Sequence, residues 1–281
     1  MPSARSESTT EVDCVVRSLR SPPVDPLDLP VFVICRDRLE GLTRLVQWLE
    51  RAGHRHIILV DNDSTYPPLV EYLAVSHHRV EYLGDNLGHR SPWSSGLIAK
   101  VASDTAYIVT DPDVVPTEEC PLDVAAYLHG ILDRYPGYVK AGLGLRIDDL
   151  PTHYMNRADV IAWEAQFWQR RLHRGVYRAS TDTTFAVYRA GTIEWPGVWP
   201  AIRTGEPYVA RHLPWYNDSA APSEEDAFYE ARARVDVSNW LTTKSVNDRH
   251  RPTTDSPLLS RLDRVRWRLY VLRNHWRVGI F

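Results

Sequence analysis

An alternation of strand-like and helix-like segments constrains this chain more than any other feature. Val31–Cys35 is a short run of β-formers, Leu39, Leu42, Leu45, Val46 and Leu49 then recur at helical spacing, and His56–Val60 is a second apolar run. Short β-branched runs bounded by turn residues read as strands, and apolar residues at the helical period read as one buried helix face. The pattern continues with a helix over Leu69–Val75, a strand over Arg79–Leu83, a helix over Ser94–Ala102 and a fourth strand over Ala106–Val109. Each crossover helix returns the chain to the same end of the sheet, so successive strands pair in parallel. The expected class is α/β: a mostly parallel, Rossmann-like sheet with helices on both faces and ligands beyond the carboxyl ends of its strands.

The rhythm changes after about residue 115. Spacing predicts a helix over Asp123–Arg134, a strand within Tyr138–Leu143, a helix over Arg157–Leu172 and a strand over Thr183–Tyr188. Ile161, Glu164, Phe167 and Trp168 recur at helical spacing and read as packing. Trp195–Trp215 is dense in aromatics and turn residues, a composition suited to loops that wall a flat, polar ligand such as a sugar; Asp148 and Asp149 are candidates for the same side. The chain divides into a tail over 1–28, a domain over 29–250 and a helix over 251–281. Within the domain, 29–115 reads as the nucleotide-binding half and 116–250 as the acceptor-binding half. The last segment sets Leu258, Leu262, Val265, Leu269, Leu272 and Trp276 on one stripe among arginines. Such a basic amphipathic helix suits peripheral contact with an anionic membrane, a homodimer contact, or docking on its own domain.

With 281 residues, 43% of them hydrophobic and 25% charged, the chain buries a sizeable core. A net charge of -3 excludes bulk nucleic-acid binding. Of the 33 basic residues only Lys100, Lys140 and Lys244 are lysines, so arginine forks suited to carboxylate or phosphate dominate. Cys14, Cys35 and Cys120 fit neither a zinc spacing nor a disulfide framework, and the first thirty residues hold no apolar run of signal length. The expected location is cytoplasmic, with membrane association only through the last helix.

The sharpest chemical signal is Tyr107–Asp113, where an apolar strand delivers Asp111 and Asp113 to its carboxyl end. Hard carboxylate oxygens in that position suit Mg²⁺ or Mn²⁺ and, through the ion, a diphosphate. Asp61 and Asp63 end the second strand in Asp-Asn-Asp-Ser, a pattern that serves either ribose hydroxyls or the capping of its own turn. Arg36, Arg38, Arg90 and Arg203 are candidate cations for phosphate.

Taken in order, Arg36-Asp37-Arg38, Asp61-Asn62-Asp63-Ser64-Thr65, Asp85-Asn86-Leu87-Gly88 and Asp111-Pro112-Asp113 resemble the nucleotide-sugar-dependent glycosyltransferases of the GT-A fold, family 2 in particular. The resemblance covers roughly residues 31–215. It implies transfer of a sugar from a nucleoside diphosphate donor, UDP first among them, to a hydroxyl of a glycan, a lipid-linked glycan or a small molecule. It also implies that Arg36, Asp61, Asp63, Asn86, Gly88, Arg90, Asp111 and Arg203 contact the donor, and that Asp111, Asp113 and the later His212 hold the ion. Asp182 lies between the Asp-x-Asp and His212, the order of a general base in inverting members. The family's Glu-Asp base motif has its nearest version in Glu224-Glu225-Asp226, which reads equally as the capped first turn of a helix running to Ala233. Two rivals are a phosphatase-like hydrolase, with Asp111 as nucleophile and Lys140 as its lysine, and a non-catalytic nucleotide-sugar binder. The first is disfavoured because that fold opens with its Asp-x-Asp strand, whereas two βα units precede it here.

Overall fold

The computed structural model describes residues 25–198 and 200–233. The first 24 residues, with Cys14, and the segment from 234 onward, with the basic amphipathic helix and Lys244, lie outside them. The chain order is β1 (Val31–Cys35), α1 (Glu40–Ala52), β2 (Ile57–Asp61), α2 (Pro67–Val75), β3 (Arg79–Tyr82), α3 (Ser91–Ser94), α4 (Leu97–Val101), β4 (Tyr107–Thr110), β5 (Val114–Pro116) and α5 (Val124–Arg134). It continues through β6 (Lys140–Gly142), β7 (Gly144–Leu145), α6 (Arg157–Glu164), β8 (Arg171–His173), β9 (Val176–Arg178), β10 (Ala186–Tyr188), β11 (Ala201–Thr204), β12 (Val209–His212) and α7 (Glu224–Arg232).

Nine strands form one sheet in the order β3-β2-β1-β4-β10-β6-β11-β9-β8, and β5-β12-β7 form a small second sheet. The first four strands are parallel. Both faces of β1, β2 and β4 are covered, which is why their sequences read as near-continuous apolar runs, whereas β3 at the sheet edge carries Arg79 and Glu81 and is only partly buried. Val31, Val33, Cys35, Ile57, Leu59 and Ile108 pack against α1, α2 and α5, while Phe32, Ile34, Ile58, Val60, Tyr107 and Val109 pack against Trp93, Leu97 and Ile98 of α3 and α4. The α/β class and helices on both faces thus follow from the apolar runs.

Register decides where the site lies. Cys35 pairs Asp61, Asp61 pairs Tyr82 and Val33 pairs Thr110, so the carboxyl ends of β1, β2, β3 and β4 share one rim. Beyond β4 the sheet is mixed: β10 is antiparallel to β4 and to β6, and β11 is parallel to β6.

Three expectations need correction. The helix expected over Ser94–Ala102 is two short helices, because Gly96 adopts the left-handed conformation, φ 74°, between them. The helix expected to reach Leu172 ends at Glu164 and tightens into a 3₁₀ turn over Ala165–Trp168; Arg171–His173 then pairs with β9 across a turn in which Gly175 has φ 68°. The aromatic stretch Trp195–Trp215 holds β11 and β12 rather than loops alone, and its strands find partners far away in sequence. Ile161, Glu164 and Phe167 are buried, as packing residues should be.

Candidate functional site

The rim is built first by the turns that leave β1 and β2. Asp37, buried and at φ 48°, accepts hydrogen bonds from Thr65 N at 2.6 Å and Tyr66 N at 2.8 Å, which ties the β1 exit to the start of α2. Asp61 Oδ1 accepts from Ser64 N at 3.2 Å, the Asx-type turn its sequence allows. Its carboxyl is raised above the ordinary range by burial, with Asp63 and Asp37 adding to the shift and Ser64 opposing it. Asp63, at φ 64°, lies 3.7 Å from Arg36, whose guanidinium also donates to the carbonyls of Asn62 and Asp63. Asn62 crosses to the next loop: Nδ2 donates to Asn86 Oδ1 at 2.9 Å and to the Gly88 carbonyl, and Oδ1 accepts from Leu87 N at 2.7 Å. Asp61, Asp63, Asn86, Gly88 and Arg36 therefore form one connected wall.

The acidic corner lies at the end of β4. Asp111 N donates to the Thr183 carbonyl at 2.9 Å, and Thr183 Oγ1 donates to Asp111 Oδ2 at 2.7 Å. Burial, then the charges of Asp113 and Asp182, push the Asp111 carboxyl well above its ordinary value against the Thr183 hydrogen bond. Asp113 is 9% exposed and sits between Arg38 and His212. Arg38 Nε is 3.6 Å from its Oδ2, and His212 Nε2 is 3.8 Å from its Oδ1. The small sheet brings His212 there: β12 pairs β5 with His212 opposite Val114, and Leu213 N donates to the Asp113 carbonyl at 2.8 Å. Burial, aided by Arg38 and opposed by Asp113, lowers His212, so its imidazole is neutral near pH 7. Its Nδ1 is buried without a hydrogen-bond partner among the described residues.

The residues present suit a divalent ion. The neutral imidazole of His212 turns Nε2 toward Asp113 at 3.8 Å, and burial beside Asp113 disfavours the charged form of Asp111, a cost that a cation would relieve. The three ligand groups do not form a closed cluster, however. Among the described residues, only Glu50, His77 and His78 bring three ligand atoms within 4.8 Å of one another.

Asp182 stands exposed at the start of the segment leading to β10, close enough to raise Asp111. Beneath it lies Lys140, whose buried ammonium is 3.4 Å from both the Asp182 carbonyl and Tyr188 Oη and 4.6 Å from the Trp195 ring centroid. Desolvation lowers Lys140 to about 8, with Asp182 pulling the other way.

Other expected contributors are placed elsewhere. Arg203 is buried in an ion pair with Glu164 at 2.7 Å, donates to the Ser180 carbonyl and stacks on Phe167, so it holds the mixed half of the sheet together rather than a phosphate. Arg90 is exposed, donating to His89 with its guanidinium 5.7 Å from the Trp195 ring. Asp149 is locked by Arg211 and by Tyr216 Oη at 2.5 Å.

Sequence reasoning missed the support for the corner. Glu225 Oε2 accepts from Leu39 N at 2.6 Å and Glu40 N at 3.1 Å, capping α1 from another helix. Asp226 closes a capping box with Ser223 and lies 3.7 Å from Arg38, which stacks on Tyr229 at 4.0 Å. Gly41, in the first turn of α1, packs so closely that a Cβ would fall 2.9 Å from the Pro112 carbonyl oxygen and 3.0 Å from Asp113 Cα. A glycine opening a helix beside an Asp-x-Asp loop was the available signal.

No protein-family model matches this chain, and no curated protein does. Among solved structures, HddC from Yersinia pseudotuberculosis is similar over 58% of this chain and 74% of its own, with 14% identity and a TM-score of 0.36. A putative glucose-1-phosphate thymidylyltransferase from Bacillus anthracis gives 12% identity and a TM-score of 0.34 over 59% and 73%. A 4-diphosphocytidyl-2C-methyl-D-erythritol synthase gives 15% and 0.38 over 72% and 96%. Likeness at this level bears on the course of the backbone and not on chemistry. Among the described residues, no helix is long and apolar enough to cross a membrane.

Proposed function

We propose that this chain is a metal-dependent glycosyltransferase that moves a sugar from a nucleoside diphosphate donor to a hydroxyl acceptor with inversion. One observation carries the reading: the end of β4, the exit of β1, the segment before β10 and the end of β12 deliver Asp111 with Asp113, Arg38, Asp182 and His212 to one corner of the rim. Asp111 bears the charges of Asp113 and Asp182 with no cation among the described residues to offset them, a cost that supports a role for this corner in holding an ion. A bound Mn²⁺ or Mg²⁺ would stabilise the charge that grows on the departing diphosphate.

The chain's own residues supply the rest. Asp111 and Asp113 present oxygens, and His212 presents a neutral nitrogen. Arg38, braced by Asp226, fixes the Asp113 carboxylate. Asp182 is exposed and free to approach an acceptor hydroxyl, and in this reading it takes that proton as the oxygen attacks the anomeric carbon. The wall of Arg36, Asp61, Asp63, Asn86 and Gly88 lies on the nucleoside side, with Arg90 at its border.

A thermal-shift screen of UDP-, GDP-, dTDP- and CMP-sugars, with Mn²⁺ and with chelator, tests the reading. Ligand at a hundred times its dissociation constant adds about 2.7 kcal/mol to stability. A shift with one sugar nucleotide that needs the ion, followed by transfer to a hydroxyl or slow donor hydrolysis, supports it. No shift with any donor overturns it, as does pyrophosphate release from a nucleoside triphosphate and a sugar 1-phosphate, which would mark nucleotidyl transfer.

A further inference from the structure

A second group of metal-ligating side chains lies at the opposite end of the sheet. Glu50 is in the last turn of α1, and His77 and His78 form the link between α2 and β3, immediately before the first residue of β3. His77 Nε2 is 3.1 Å and His78 Nε2 2.9 Å from the same oxygen, Glu50 Oε1. The two rings lie with centroids 4.0 Å apart and planes tilted by 42°, and His78 N donates to Ser76 Oγ, which fixes the link. A cleft of about 440 Å³ opens beside them, its wall formed by both histidines with His56, Asp28, Arg55 and Arg79.

We propose that Glu50, His77 and His78 bind one zinc-class divalent ion, clipping α1 to the amino end of β3 and leaving a fourth position open to the cleft. The spacing fits. Bonds of about 2.0–2.1 Å at tetrahedral angles put neighbouring ligand atoms about 3.3 Å apart, within a few tenths of an ångström of both contacts. Donor chemistry separates this place from the acidic corner. Two imidazoles with one carboxylate favour zinc and its neighbours, whereas an oxygen-rich set favours magnesium or manganese. As a plain hydrogen-bonded trio the arrangement sets two adjacent rings on one carboxylate oxygen, and the rings repel each other whenever both are positively charged, whereas neutral rings can share a bound cation.

The test uses the full chain stripped with chelator, and reads Zn²⁺ binding by competition with a chromogenic chelator in the presence of millimolar Mg²⁺. The wild type and an Asp111→Asn/Asp113→Asn variant are expected to bind one Zn²⁺ alike. A His77→Ala/His78→Ala variant is expected to lose affinity by about 100-fold or more, beyond the range seen when only an outer partner is removed. Glu50→Gln, which preserves shape, is expected to weaken binding at least tenfold and decides the matter if the double histidine variant does not fold. Equal binding by the wild type, the His77→Ala/His78→Ala variant and Glu50→Gln overturns the proposal. So does absence of binding in the wild type, or its loss in the Asp111→Asn/Asp113→Asn variant, which would put the ion at the acidic corner.

Discussion

The parallel strands β3-β2-β1-β4 and the mixed strands β10-β6-β11-β9-β8 reach the same rim by different routes. In the parallel half, each strand follows the last through a short crossover, and the acids at Asp61, Asp111 and Asp113 arrive at the rim because every such strand ends there. In the mixed half, most strands are three residues long and, apart from the β8–β9 hairpin, their partners are distant in sequence, as when β10 inserts between β4 and β6. The site is the seam between the two. Asp111 belongs to the parallel half, yet its backbone and side chain are held by Thr183 from the approach to β10. The parallel half thus supplies Asp111, Asp113 and Arg38, and the approach to β10 supplies Thr183, which holds Asp111, and Asp182, which stands beside it.

If that division is right, substitutions on the two sides fail differently. Asp113→Ala should abolish metal-dependent donor binding and transfer together, read by calorimetry with sugar nucleotide and Mn²⁺. Asp182→Ala should leave donor binding within a few-fold while transfer falls by about 10²- to 10⁴-fold, the usual loss on removing a general base; an unchanged transfer rate would remove Asp182 from that role. Arg203→Ala strands Glu164 as a buried unpaired charge and should cost about 3–5 kcal/mol in denaturant unfolding. Arg203→Met with Glu164→Met should recover most of that stability, and donor affinity per folded molecule should not change.

Gly41→Ala is a finer probe. At an ordinary helix position it would stabilise by about 0.5–1 kcal/mol. Here the new methyl meets the Pro112–Asp113 backbone, so we expect a loss of about 1–3 kcal/mol and weaker metal-dependent binding. The smallest effect is expected from Asp111→Asn without metal. The raised Asp111 carboxyl keeps its proton in the fold at pH values where the unfolded chain has released it, so stability falls as pH climbs from the ordinary carboxylate range to the raised value. The asparagine variant lacks that penalty. Its Tm should exceed the wild type's at pH 7, by about 2–4 °C for each kcal/mol relieved, and the two should converge in acid.

These outcomes would also explain what the sequence made readable. The parallel half was legible because its evidence is local: Val31–Cys35, His56–Val60 and Tyr107–Val109 are apolar runs that need no knowledge of partners. The strand-end position of Asp111 followed directly. β8, β11 and β12 were not legible, since strands of three and four residues are too short to show a period, and β11 and β12 take partners distant in sequence. Arg203 was misplaced for the same reason, because nothing near it in sequence announces Glu164. His212 was expected from the order of motifs, and its approach to Asp113 depends on β12 pairing with β5.

The grip of Glu225 on the first turn of α1, with Asp226 beside Arg38, has a temporal implication. During synthesis, β1, α1 and β4 emerge long before α7, so the acidic loop exists for a while with its arginine braced on one side only. A ribosome-bound chain arrested before residue 224 would hold Asp113 and Arg38 without the Asp226 carboxylate, and the first turn of α1 without its Glu225 cap.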